Sequence, residues 1–281
     1  MLADVIDLLL CPVCGARPSL VPGAVRCGNG HVFDVARQGY VSLLTGSAAP
    51  GTADTAAMVA ARDAFLSAGH YAPLADAVIR LCAPALPGTA GVIADAGAGT
   101  GHYLAAALTG TGGQAVGLAL DVSKHAIKRA ARAHPRIGAV VADVWRPLPV
   151  RDACADVLLN VFAPRNAAEF ARVLKPGGTL IVVTPAPGHL RPLVERLGLL
   201  SVDEDKDRRL GETLGGRFAR AVQEDLDIPL RLGHDAVEAV VGMGPSAWHT
   251  GTDDLRKKIA ALPDPVQVTA SFRISTWTTR A

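Results

Sequence analysis

The 281-residue chain has few aromatic side chains, 4% of its residues, so each one near a candidate site carries weight. It has no run of eighteen apolar residues, which argues against a helix spanning a bilayer. It lacks a strong charge of either sign. A net charge of +2 provides no global field for a polyanion, so any nucleic-acid surface has to be a local patch. The opening MLADVIDLLL holds two aspartates and no basic segment, which argues against a secretory signal and suits a short amphipathic helix. The cysteine density of a disulfide scaffold is missing as well. Cys82 and Cys154, the two cysteines outside the N-terminal region, stand far apart, as expected of a protein of the reducing cytoplasm.

The other three cysteines are a pattern. Cys11-Pro-Val-Cys14 is followed after twelve residues by Cys27 and after three more by His31. A C-x₂-C knuckle sets two thiolates on one side of a Zn²⁺ ion, and a C-x₃-H pair closes the tetrahedron. Soft sulfur with one imidazole selects zinc over magnesium or calcium. Four protein ligands leave no open position, so this metal is structural. Residues 31–44 read as one or two short strands packing on the metal site, and 46–55 as a linker of small and polar residues.

Beyond it the spacing predicts helices over 54–66 and 71–81, broken by Pro84 and Pro87. From Gly91 apolar runs alternate with helical segments. Strands are expected at 91–96, 115–121, 139–143, 156–162 and 179–184, with helices at 104–108, 123–133 and 169–174. Continuous apolar strands separated by helices imply a parallel sheet covered on both faces, a Rossmann-like α/β fold. Stretches near 226–232 and 266–278 suit an antiparallel pair that completes the sheet.

The first of these strands runs into Asp95-Ala-Gly97-Ala-Gly99-Thr100-Gly101-His102. Glycine at alternate positions lets the backbone turn tightly and approach a ligand. The G-x-G-x-G spacing departs from the G-x-G-x-x-G that cradles a dinucleotide pyrophosphate, so it suits S-adenosylmethionine, which has no phosphate. Asp121 ends the second strand, where a carboxylate accepts from both ribose hydroxyls. Asp143 ends the third, with two open roles: facing the adenine amino group, or capping the turn at Trp145. Asn160-Val-Phe162-Ala-Pro164 ends the fourth, where a substrate base would lie. There Phe162 is either a stacking surface or core.

The chain resembles the 23S rRNA guanine-N1 methyltransferases that modify hairpin 35, including the tylosin- and mycinamicin-resistance, type II members of actinomycetes. The zinc set carries the resemblance, together with His31-Val-Phe-Asp-Val-Ala-Arg-Gln-Gly-Tyr-Val, Ala61-Arg-Asp-Ala-Phe-Leu-Ser-Ala-Gly-His70-Tyr71-Ala-Pro-Leu, Phe162-Ala-Pro-Arg, Thr184-Pro-Ala-Pro-Gly-His189-Leu and Met243-Gly-Pro-Ser-Ala-Trp248. The resemblance implies a class I methyltransferase sheet with a small N-terminal zinc-binding domain. It implies that Tyr71 and His189 lie against S-adenosylmethionine with donor-loop contacts at Gly99 and Thr100, joining the Asp95, Gly97, Gly101, Asp121 and Asp143 read from the strand ends, and it suggests a homodimer tied to macrolide resistance. On this reading residues 1–45 form a zinc-binding RNA-recognition module, 46–88 a linker and helices packing on the donor site, and 89–281 the methyltransferase domain.

Guanine N1 carries a proton, so a base must take it; Asp143, His189 and His102 are candidates that the sequence does not rank. N1 lies on the Watson–Crick edge, so the target must be unpaired or flipped out. Trp145, Phe162 and Trp248 are candidates to stack on it or to fill core. Arg17, Arg26 and Arg37 give the zinc module its charge. Lys124, Lys128 and Arg132 share a helix face that suits RNA phosphates or plain solvent. The competing readings are a methyltransferase of a small metabolite, and a zinc-dependent binding protein with a dead cofactor site.

Overall fold

The structure, a computed structural model, describes residues 1–46, 53–88, 90–199, 205–244 and 252–280. Most of the expected linker lies outside these residues, as does Trp248. Among the described residues no helix is long and apolar enough to cross a membrane.

An eight-stranded sheet forms the body, built from β4 (Tyr40–Ser42), β5 (Val92–Ala96), β6 (Val116–Asp121), β7 (Ile137–Val141), β8 (Ala155–Val161), β9 (Leu174–Pro185), β10 (Phe218–Leu232) and β11 (Val266–Thr279). Their order is β10-β11-β9-β8-β5-β6-β7-β4. β4 to β9 are parallel, while β11 runs antiparallel to both β9 and β10. The expected late pair is present, and β10 starts earlier than expected by way of an irregularity at Arg220–Val222. β9 begins before the expected 179, at Leu174, so that Lys175-Pro-Gly-Gly178 lies inside it and Lys175 pairs with Asp156 (Nζ to Oδ1 2.7 Å).

Strand period sorts the core onto two faces. Ala119, Val157 and Leu159 face a layer holding α2 (Ala56–Ser67), α3 (Ala72–Cys82), α4 (His102–Gly110), α5 (Lys124–Ala133), α7 (Arg191–Leu197), α9 (His234–Gly242) and α10 (Thr252–Ala260). Leu118, Leu120 and Leu158 face α1 (Leu2–Val5), α6 (Ala167–Val173) and α8 (Lys206–Gly215). The chain passes from β5 to β6 and β7 on one side, then returns to β8 and β9 on the other. This topological switch point lies between β5 and β8, and ligands of open α/β sheets bind outside the strand ends there.

The small N-terminal sheet is β1 (Pro18–Val21), β2 (Ala24–Cys27) and β3 (Val32–Asp34). The strands expected in 31–44 divide. β3 stays on the metal module, whereas β4 pairs in parallel with β7 and becomes the edge of the main sheet. The opening segment also belongs to the sheet, since Leu2 and Val5 are buried against it. Gly138 on β7 makes that packing possible: an added Cβ would stand 2.0 Å from Val5 Cγ2. Gly138→Ala should therefore cost about 1–3 kcal/mol through overpacking. Val5→Ala should recover part of that loss in the double variant. Denaturant unfolding of the wild type, both single variants and the double variant measures the coupling, and additive losses would refute the contact.

Candidate functional site

The metal centre is built from two tight turns. Cys11 N–H donates to the Ala16 carbonyl and Gly15 N–H to the Cys11 carbonyl. Cys27 N–H donates to the His31 carbonyl and Gly30 N–H to that of Cys27. Gly15 and Gly30 take φ of +70° and +85°, which glycine adopts without a Cβ penalty. The turns bring Cys11, Cys14, Cys27 and His31 together, with all four ligand atoms within 4.8 Å of one another. Cys27 Sγ lies 3.3 Å from His31 Nδ1, Cys11 Sγ 3.7 Å from the same nitrogen, and Cys14 Sγ 3.7 Å from Cys27 Sγ. Zinc bonds of about 2.3 Å to sulfur and 2.0 Å to nitrogen require tetrahedral edges of roughly 3.5–3.8 Å, so the four atoms fit the ion. The backbone N–H of Ala16, then the Asn29 side chain, lower the Cys14 thiol to about 6, which favours the thiolate that zinc needs.

The second site lies at the switch point. After β5 the loop Gly97–Gly101 folds over the end of β6, and the N–H groups of Gly97 and Ala98 both donate to the Leu120 carbonyl. An added Cβ on Gly97, where φ is +86°, would stand 2.3 Å from Ala163 Cβ, so the loop rests directly on the turn after β8. Asp121 holds the loop from the other side: Oδ2 accepts from Gly99 N–H and Oδ1 from Ser123 N–H, both at 2.8 Å. Thr100 is buried within the loop.

Several buried polar atoms around this loop have no partner: Asp95 Oδ1, the Tyr71 and Tyr103 hydroxyls, Asn160 Oδ1 and Arg165 Nε. Each such atom costs about 1–3 kcal/mol unless something satisfies it. Burial, reinforced by the Asp121 carboxylate, pushes the Asp95 carboxyl up to about 8. Burial also raises both tyrosine phenols well above their usual range, and Tyr103 additionally feels the charges of Tyr71, Arg62 and Asp95. The amino-acid end of S-adenosylmethionine carries an ammonium with three donors, matching a set of orphaned acceptors beside a glycine loop. These residues fit that group.

An aromatic cluster closes the site. Tyr71 meets Phe65 and Phe272 edge-on at 4.9 Å between ring centroids. Phe272 in turn contacts His189 at 4.9 Å and Phe162 at 5.5 Å. The structure thus brings together Tyr71, His189 and Phe162, from three distant segments. His189 Nδ1 lies 2.9 Å from the Ser271 carbonyl. A carbonyl only accepts, so Nδ1 carries a proton and donates it to this bond. Phe162 is 44% exposed and takes φ of +55°, a strained conformation for a large side chain. Asn160 donates through Nδ2 to the carbonyls of Ala96 (3.0 Å) and Pro164 (2.8 Å), which curls this turn and fixes the orientation of Oδ1.

Asp143 sits at the same sheet edge and caps the turn: Oδ1 accepts from Trp145 N–H at 3.0 Å and Oδ2 lies 3.6 Å from Arg146 Nε. Trp145 is 65% exposed and not core. His102 is half-buried with its pKa lowered by that burial, and its ring packs edge-on against Tyr103.

The sequence singled out none of Arg62, Tyr103 and Phe272, and it marked Asn160 only as the start of the segment where a substrate base would lie. Arg62 pairs with Asp54 and donates to the Met243 carbonyl at 3.0 Å, and its Nη1 would be 3.3 Å from a Cβ on Gly99. It lies within the Ala61–Leu74 segment that carried the resemblance, its one advance signal. Phe272 sits in a late strand with no motif around it.

Comparison with known proteins completes the picture. Residues 9–46 match the N-terminal zinc-ribbon model of RlmA, and residues 93–178 match a methyltransferase-domain model. A methyltransferase structure from Bacillus halodurans superposes with TM-score 0.50 at 16% identity, covering 72% of this chain and 97% of that one. A chain of the Haloferax volcanii complex of the Trm112 activator with a methyltransferase gives 0.52 at 19% identity, covering 80% and 97%. At these identities the likeness concerns the fold alone. The 23S rRNA (guanine(748)-N1)-methyltransferase of Streptomyces fradiae is 50% identical over 96% of each chain. A Micromonospora griseorubida protein to which 23S rRNA guanine-N1 methylation is ascribed is 50% identical over 97% of each chain. With relatives half identical over nearly its whole length, the chain belongs to the 23S rRNA (guanine-N1) methyltransferases, S-adenosylmethionine-dependent enzymes, and has a zinc ribbon at its N-terminus.

Proposed function

We propose that this enzyme methylates N1 of a guanine in hairpin 35 of 23S rRNA, the type II position that the Streptomyces fradiae relative's name gives as guanine 748, and that the mark confers macrolide resistance. One observation carries the guanine reading: the turn after β8 packs on the donor loop and holds an exposed, strained Phe162, and the same turn carries a buried acceptor, Asn160 Oδ1, and a buried donor, Arg165 Nε, without partners among the described residues. A guanine edge offers N1–H and N2–H donors and an O6 acceptor, complementary to that pair.

Bound S-adenosylmethionine supplies an electrophilic methyl on a sulfonium. Gly97, Gly99, Thr100, Gly101 and Tyr71 shape its cradle. Asp121 takes the ribose hydroxyls and Asp95 the ammonium. Asp143, already capping its turn, takes the adenine amino group. Phe162 stacks on the flipped base and holds N1 in line for displacement, and such positioning supplies much of the rate. His189, oriented by its hydrogen bond to the Ser271 carbonyl, is the base for the N1 proton. The zinc module, residues 1–45, grips the hairpin through exposed Arg17, Arg26 and Arg37. The family resemblance supports a homodimer whose cleft admits the RNA.

N1 methylation blocks Watson–Crick pairing. Reaction of purified protein with 23S rRNA should therefore place one strong primer-extension stop at guanine 748, and no stop anywhere in domain II would sink the reading. Cys14→Ser should lose zinc and lower RNA affinity by tenfold or more, about 1.4 kcal/mol, while calorimetric donor affinity stays near wild type.

Asp95 gives a pH signature. Its folded pKa of about 8 lies above the ordinary carboxylate value, so the folded protein without donor holds a proton that the unfolded chain has released. Stability of that form therefore falls as pH rises from about 4 to 8. A bound ammonium reverses the preference and favours the carboxylate. Donor binding at pH 7 should then release about 0.9 proton, read from the buffer dependence of the calorimetric enthalpy, and donor affinity should rise from pH 5 to 8. Asp95→Asn should abolish the release; an unchanged proton count in that variant would remove Asp95 from this role.

A further inference from the structure

A groove of about 550 Å³ runs between α2 and α5, lined by Ala56, Val59 and Asp63 on one side and His125, Lys128, Arg129, Arg132 and Ala133 on the other. Thr100 of the donor loop closes one wall. The groove thus opens beside the donor site, on the helical layer built over one face of the main sheet. From His125 to Arg132 the helix rises about 10 Å, so its basic side chains form a track and not a point.

The charge of the groove is uncompensated. Lys128, Arg129 and Arg132 face a single carboxylate, Asp63, which pairs with Arg129. Among the described residues, neither Lys128 nor Arg132 has a carboxylate within ion-pair distance. The two stand four residues apart on one exposed helix face, while Ala126, Ile127 and Ala130 bury the opposite face in the core. The fold anchors this helix firmly, with Ser123 capping it through Ala126 N–H at 3.3 Å and donating to the Asp54 carbonyl at 2.7 Å. A rigid, concave row of cations next to a methyl-transfer site suits a phosphodiester chain.

We propose that the α2–α5 groove is a second RNA-binding site, separate from the zinc module, in which Lys128 and Arg132, with Arg129, bind the phosphates of the strand that carries the flipped guanine. This rests on the reading of the enzyme as an rRNA methyltransferase. The flipped base must reach the donor loop, so its own backbone must leave across that loop. The wall containing Thr100 is where this groove begins. The phosphates anchored there fix how deep the base enters, without reading its identity.

The test compares wild type, Lys128→Ala/Arg132→Ala, and the charge-conserving Lys128→Arg/Arg132→Lys, using a 23S rRNA fragment containing hairpin 35. Filter binding is measured across salt concentrations, and donor binding by calorimetry. The alanine pair should weaken RNA binding about tenfold at low salt and flatten the log–log salt slope by one to two. The charge-conserving pair should keep both near wild type, and all three proteins should bind donor equally. Unchanged RNA affinity and slope in the alanine pair would overturn the groove, as would a loss of donor affinity of the same size. If wild type itself fails to methylate the fragment, the rRNA reading fails, a result distinct from wild-type activity with an indifferent groove.

Discussion

The functional edge depends on one close approach. The backbone at Gly97 lies so near Ala163 that a Cβ there would be 2.3 Å from its neighbour. That contact joins the loop after β5 to the turn after β8 across the switch point of the sheet. Loop and turn are therefore one packed unit, so on the proposed reading the loop that cradles the donor also positions the turn that meets the base. Interiors of this density do not deform continuously. A shift of one element moves the other, which suits a reaction that requires nucleophile, methyl and sulfur in line.

The same packing seals polar atoms away from solvent. Asp95 and Asn160 are 1% and 0% exposed, yet each keeps an oxygen without a partner. A fold selected for stability alone would not leave both, at about 1–3 kcal/mol each. Here the cost is the counterpart of recognition: unmatched acceptors become selective only when a ligand brings donors to the right places, and a ligand lacking them is rejected. The raised Asp95 carboxyl and the strained Phe162 backbone are further costs held in the same region of the fold.

Much of this was legible in the chain. The apolar runs of β5 to β9 announce a parallel sheet because strands buried on both faces need no polar alternation. The metal ligands declare themselves through spacing, since a tetrahedron imposes it. The place of Asp121 beside the glycine loop is legible because a strand-end acid of a parallel sheet lies at the edge where the loops gather, and there it accepts from Gly99 and Ser123 N–H. What escaped was set by tertiary packing. Arg62 looks like any helical arginine until the fold lays it against Gly99 and Met243. Phe272 becomes the hub of the aromatic cluster because β11 inserts beside β9, a placement no local pattern encodes. Asp143 kept two roles because capping and ligand contact ask for the same carboxylate at the same strand end.

β4 shows where the metal module ends in physical terms. Its three residues follow the zinc site closely in sequence, yet their hydrogen bonds go to β7, and Leu43 N–H continues the ladder to the Val141 carbonyl. Arg146 extends the tie by reaching from Asp143 to the Thr45 carbonyl at 3.0 Å. The chain leaving the zinc module is therefore anchored by the sheet edge that ends at the donor site, and not by the metal. Between β3 and β4 an isolated bridge joins Val35, just past β3, to Val41. β4 keeps ladder partners on β7 that owe nothing to the metal site, and Val25 of β2 packs into the same core as the sheet. The four ligands shape the module, and β4 ties the chain leaving it to the edge of the main sheet through β7.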